Sequence, residues 1–131
     1  KMYRSHEYDE KLEQMVEDLQ SRFPVELRID FIEVSPRMEK HQGMAYKRPG
    51  KKYYIRVSED FIESASDERV KLTVLHEMVH VYFYQMGYPN TNHDKYFRWV
   101  VGRVGASMTG CTTRARKWQK TIQPFLEMEG E

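Results

Sequence analysis

Leu12, Met15, Val16, Leu19 and Phe23 recur at spacings of three and four. That rhythm places them on one stripe of a helix of about four turns, which Pro24 ends. Val25, Leu27, Ile29 and Phe31 then alternate with Glu26, Arg28 and Asp30, the period of a half-buried strand, and Ser35-Pro36 breaks it. Residues 43–47 and 52–58 are two β-prone runs around Arg48-Pro49-Gly50-Lys51, which predicts a hairpin. Ser58 followed by Glu59 and Asp60 starts a short helix to about Ser64. Ser66 followed by Asp67 and Glu68 starts a longer one to about Met86, with acidic residues where the helix dipole favours them. Val70, Leu72, Val74, Leu75, Val79, Val81, Tyr82 and Phe83 make this second helix apolar on most faces, the mark of a buried central helix. Gly87-Tyr88-Pro89-Asn90 stops it.

Thr91 with Asp94 fits a capping box for a further helix, striped by Tyr96, Val100 and Val104 with Phe97 and Val101 beside them. Gly105 to Thr109 is a weak joint, Arg114–Lys120 a last helix, and Pro124 with the acidic end a tail. The order α-β-β-β-α-α-α predicts an α+β fold with a small, largely antiparallel three-stranded sheet packed on the buried helix.

The chain has 131 residues, 40% hydrophobic, 31% charged and 13% aromatic. This is one domain, rich enough in core material to exclude a disordered chain. No run approaches ~20 apolar residues, so no membrane helix is expected. Lys1 precedes Met2, as in a trimmed chain. The lone Cys111 excludes an internal disulfide and a zinc site built from several cysteines. With no signal-peptide pattern at the N-terminus, the expectation is a cytoplasmic monomer.

The net charge of +1 is unevenly distributed. Residues 34–56 and 94–126 each carry seven basic residues and one acidic residue, while the rest of the chain is acidic. Lys47, Arg48, Lys51, Lys52, Arg114, Arg116 and Lys117 are therefore candidate nucleic-acid contacts, with Tyr46, Tyr53, Tyr54 and Trp118 interleaved as residues that could stack on bases. A solvated charged face accounts for the same residues.

The chemistry concentrates in His76-Glu77-Met78-Val79-His80. Two imidazoles four residues apart lie on one helix face and can reach one ion. Glu77 lies about 100° round the helix from His76, beside the ion, where it can serve as general base to a water. With five His and 14 Glu in the chain, chance supplies this pattern roughly 0.02 times. Two His and a Glu among Val, Leu and Phe are also costly without partners.

A catalytic zinc takes a third protein ligand and leaves a fourth position open. A third His six residues after His80 is absent, since that position is Met86, and no Glu occurs between residues 78 and 126. His93, just past the turn, is the third-ligand candidate, with Asp94 the alternative. His6, His41 and Cys111 are better explained as structural or surface residues.

These motifs resemble the SprT-like family of zinc metallopeptidases over about residues 10–105. The likeness rests on the hairpin with Arg37 and Gly43, Ile55-Arg56-Val57-Ser58, Leu75-His76-Glu77-Met78-Val79-His80, and His93-Asp94-Lys95-Tyr96-Phe97. Asp94 replaces the glycine usual in the family's second motif, and Asn92-His93-Asp94 with Phe97 also resembles the YgjP-like metallopeptidases. The resemblance implies a zincin-like core, and residues 106–126, beyond the resemblance, are read as a basic C-terminal helical extension of the same domain. The resemblance also implies one Zn2+ per chain on His76, His80 and His93, Glu77 as catalytic base, and a protein or peptide substrate. Some relatives cleave proteins crosslinked to DNA, and their cysteine-rich ribbon or added modules help bind DNA; DNA-associated or DNA-crosslinked proteins are therefore one candidate substrate, although with Cys111 alone the ribbon is missing. Two other readings fit the motif: a nucleic-acid-binding protein with a structural zinc, and a metallo-hydrolase acting on something other than peptides.

Overall fold

The computed structural model describes residues 2–88, 93–106 and 122–129. Helix α1 (Met2–Leu19) and a 3-10 turn (Gln20–Arg22) lead into strands β1 (Ile29–Ser35), β2 (Gly43–Arg48) and β3 (Lys52–Ser58). Helices α2 (Glu59–Ser64), α3 (Asp67–Gln85), α4 (Lys95–Val104) and α5 (Gln123–Glu129) follow. The expected stripe of α1 is buried at Leu12, Met15 and Leu19, and Phe23 is buried just after it. Ser58 and Ser66 both cap their helices, accepting from the backbone N–H of Phe61 and Arg69.

The sheet is mixed rather than largely antiparallel. Its order is β1-β3-β2, with β2 antiparallel to β3 and β1 parallel to it. The hairpin was legible, but alternation says nothing of which strand β1 will join. β1 lies on the far side of β3, so the loop 36–42 crosses the end of β3. There the Ser58 hydroxyl donates to the Met38 carbonyl at 3.1 Å and the Ser58 N–H to the Gln42 carbonyl at 2.9 Å. This crossing delivers Lys40, His41 and Gln42 to the same side of the molecule as α3.

β1 also starts later than its alternation suggests. Glutamine side chains hold the backbone of residues 25–28. Gln20 donates to the Val25 carbonyl and accepts from the Leu27 N–H, and Gln85 does the same for Glu26 and Arg28. These bonds substitute for a ladder. A register shift between Ile29 and Phe31 then reverses the pleat. Ile32 and Val34 face inward, and Phe31 stacks on Tyr54 with centroids 4.7 Å apart.

The core lies between the inner sheet face (Ile32, Val34, Tyr53, Ile55, Val57) and helices α1 and α3. Val74, Leu75, Met78, Val79, Val81, Tyr82 and Phe83 of α3 are wholly buried, as its all-round apolar sequence predicts. Burial of such side chains contributes roughly 1.5–3 kcal/mol each.

The C-terminal segment is corrected in one respect. Pro124 does not open a tail but sits in the first turn of α5, where a missing N–H is tolerated. Ile122 and Phe125 anchor that turn in the core, Phe125 against Phe23 and Tyr82. The expected helix at Arg114–Lys120 lies outside the described residues. Among the described residues no helix is long and apolar enough to cross a membrane.

Candidate metal centre

His76 and His80 stand one turn apart on α3, as the spacing requires. His93 returns to them from just ahead of α4, and the three rings form one cluster. His93 Nε2 lies 3.3 Å from His76 Nε2 and 3.1 Å from His80 Nε2. Two ligand atoms about 2.05 Å from a tetrahedral ion are about 3.3 Å apart. The contacts therefore have the spacing of a shared coordination sphere.

Hydrogen bonding alone does not account for them. A neutral imidazole nitrogen carries either one hydrogen or one lone pair. His93 Nε2 therefore cannot make an ordered hydrogen bond to both neighbours. A cation at the centre satisfies all three nitrogens at once, so this group could hold a metal ion.

The electrostatics agree. Burial, then the neighbouring His93, lowers the pKa of His76 to about 4. Burial, then the other two histidines, lowers that of His80 to about 3. His93 is lowered too, by burial and then by Arg98. All three stay neutral at pH 7, the form that binds metals. The buried Nδ1 of His80 has no hydrogen-bond partner among the described residues.

Phe97 forms the floor under the cluster. It is fully buried, and its ring lies 5.4, 4.4 and 4.7 Å from the rings of His76, His80 and His93.

His93 itself adopts a left-handed backbone conformation, φ 58°, which a non-glycine residue takes at a cost. Asp94 follows it as the N-cap of α4, its Oδ1 accepting from the N–H groups of Tyr96 and Phe97 at 3.1 and 2.9 Å. This corrects the expected capping box: Asp94 is the cap itself, not the partner of a capping Thr91, which lies outside the described residues. The Tyr88 hydroxyl donates to Asp94 Oδ2 at 2.6 Å, and Arg98 Nε donates to the His93 carbonyl at 3.0 Å. Both oxygens of Asp94 thus hold structure around His93. Sequence reasoning missed Tyr88 and Arg98.

Glu77 projects from α3 toward β2, 7% exposed. Burial raises its pKa to about 7, against a lowering contribution from a hydrogen bond donated by the Ala45 N–H. The ladder explains that donor. Ser58 N–H bonds the Gln42 carbonyl, so the alternate residues Gly43, Ala45 and Lys47 turn their backbone groups away from β3. Gly43 permits the close approach: a Cβ there would lie 3.1 Å from Thr73 Cγ2 and 3.3 Å from Glu77 Cγ.

A cleft of about 880 Å³ runs between α3 and β2, with Glu77 and all three histidines in its wall. His41, read from sequence as a surface residue, is exposed and also lines this cleft.

The basic residues of the hairpin do not share one face. Lys47 lies over the Tyr84 ring at 4.9 Å on the cleft side. Arg48 points to the opposite side, paired with Asp30 and over the Phe31 ring. Lys51 and Lys52 are exposed at the turn. Tyr53 is buried, and Tyr46 and Tyr54 stack on one another at 4.7 Å. Arg114, Arg116, Lys117, Trp118 and Cys111 lie outside the described residues.

No curated protein and no solved structure matches the chain. The family model of SprT-like proteins matches residues 6–117, the stretch that carries the sheet, the three histidines and Glu77, and the chain belongs to the SprT-like family.

Proposed function

We propose that this protein is a zinc-dependent endopeptidase with a zincin-like core. The observation that carries the reading is the convergence of three neutral imidazole nitrogens beside a buried carboxylate at the wall of an open cleft. Three histidines are a donor set suited to zinc, and the exposed side of the cluster leaves room for a fourth ligand.

A zinc ion on His76, His80 and His93 would supply Lewis acidity, making a water more acidic and polarising a substrate carbonyl. Glu77 accepts the proton from that water. Burial raises its proton affinity in the metal-free chain, and a cation on the histidines would oppose that shift and favour the ionised form that accepts a proton. The Ala45 N–H holds the carboxylate in place while the Phe97 floor keeps the three rings at fixed spacing. The returned proton goes to the leaving amine.

The cleft suits a peptide in extended form. β2 is an edge strand: the Ala45 N–H is taken by Glu77, while the Ala45 carbonyl and the backbone groups of Gly43 and Lys47 point off the same edge. A substrate strand can add there through main-chain hydrogen bonds.

The test is cleavage of an unfolded protein such as casein, with and without a chelator, beside metal analysis of the purified chain. The expected result is about one zinc per chain and cleavage that the chelator abolishes and zinc restores. Cleavage indifferent to the chelator would contradict the assignment.

A further inference from the structure

The cleft has two distinguishable ends. Arg69, Leu72, His76, His80 and Tyr84 line it in order along α3. On the opposite wall Gly43 faces Thr73 and Glu77, while Lys47 lies over Tyr84. β2 and α3 therefore run in the same sense. Lys40 and His41, just before β2, fall at the Arg69 end.

That end has an apolar floor and a basic rim. Phe61 and Leu72 make the floor, with the Arg69 guanidinium 5.5 Å above the Phe61 ring. Lys40 and Arg69 make the rim. Glu77 is the only carboxylate in the lining of the cleft among the described residues.

The helix works as a ruler. At 1.5 Å per residue, Leu72 is about 7–8 Å and Arg69 about 12 Å from Glu77 along α3. An extended peptide advances about 3.3 Å per residue. The floor is thus about two residues, and the rim three to four residues, from the bond being cut.

Resting on the endopeptidase reading, we infer that the site selects peptides carrying an apolar residue about two positions, and an aspartate or glutamate three to four positions, from the scissile bond, on the side that lies toward Arg69. A polynucleotide would also meet the basic rim. The apolar floor and the backbone groups of Gly43 and Lys47 on the edge of β2 instead match a peptide strand.

The experiment compares the zinc-loaded full chain on peptides identical except for Asp, Ala or Lys three or four residues from the cut, on each side in turn. The expected result is a kcat/KM roughly 3–10-fold higher for Asp than for Ala on one side only, the size of two exposed ion pairs. The ratio should shrink at high salt and fall to about one in the double variant Lys40→Gln, Arg69→Gln. Equal rates for Asp and Ala peptides would overturn the inference and leave the endopeptidase reading standing. So would an Asp preference that survives the double variant. Loss of duplex-DNA binding in that variant with an unchanged peptide ratio would assign the rim to a polynucleotide and overturn it as well. Failure to cut any peptide would remove the endopeptidase reading itself, and the inference with it.

Discussion

The Tyr88 hydroxyl donates to Asp94 Oδ2 at 2.6 Å while the other oxygen of Asp94 caps α4, so two residues outside the histidine cluster fix the chain on either side of His93. His93 pays for its position with a left-handed backbone, and the cap holds it there. Asp94→Ala should lower stability by about 1 kcal/mol, the usual loss for an N-cap. It should also weaken zinc binding by on the order of tenfold, as loss of supporting groups around metal ligands does. Asp94→Asn keeps a capping oxygen and should restore most of both. Competition against a zinc chelator measures the affinity. Unchanged affinity in Asp94→Ala would show that His93 needs no such support.

Gly43 sets the distance between β2 and α3. A methyl group there meets Thr73 and Glu77 at 3.1 and 3.3 Å, so Gly43→Ala should push the Ala45 N–H off the Glu77 carboxylate. The expected outcome is zinc content unchanged and kcat reduced on the order of tenfold, since a small misplacement of a reacting group is expensive. Adding Thr73→Ser removes the nearer contact and should recover part of the rate. Steady-state kinetics on one peptide for both variants checks this.

The zinc-free chain should lose stability in acid. The folded pKa values of His76 and His80 lie below the ordinary 6.5, so the unfolded chain binds more protons and stability falls as pH drops from about 6.5 toward 4 and 3. Glu77 acts the other way. Its raised pKa contributes stability that is present below about 4.5 and lost as pH rises through 7. His93 is lowered as well, so three groups oppose one and the net slope is a loss in acid. Glu77→Gln removes the opposing contribution and should make the loss steeper between pH 7 and 4.5. Thermal melts of both chains across this range, in chelator, would show it. A shallower slope in the variant would contradict the sign.

Phe97 touches all three histidine rings and is wholly buried. Phe97→Ala should cost about 3–5 kcal/mol through the cavity it leaves. Phe97→Leu should keep the fold while loosening the rings. Denaturant melts separate these outcomes from the zinc titrations.

Much of this was legible in the chain before any coordinates. Helical period placed α1 and α3, serine caps marked the starts of α2 and α3, and the spacing of His76 and His80 marked two members of the group that could hold a metal ion. Three things were not legible, for physical reasons. Which strand joins β1 depends on a loop crossing the end of β3, and alternation carries no information about that neighbour. The start of β1 depends on Gln20 and Gln85, whose side chains replace a ladder from a distance in sequence. The α5 helix depends on Phe125 meeting Phe23 and Tyr82, a tertiary gain that outweighs the breaking tendency of Pro124. Within the site, the paired elements were visible, but the donor from Ala45 follows from the sheet register, which only the strand order reveals.

The central claim is that Glu77 moves the proton while the three histidines hold the metal. Its most direct test is zinc content and peptide cleavage measured together on wild type and Glu77→Gln. About one zinc per chain is expected in both, and cleavage in the wild type alone. Cleavage persisting in Glu77→Gln at the wild-type rate would contradict it.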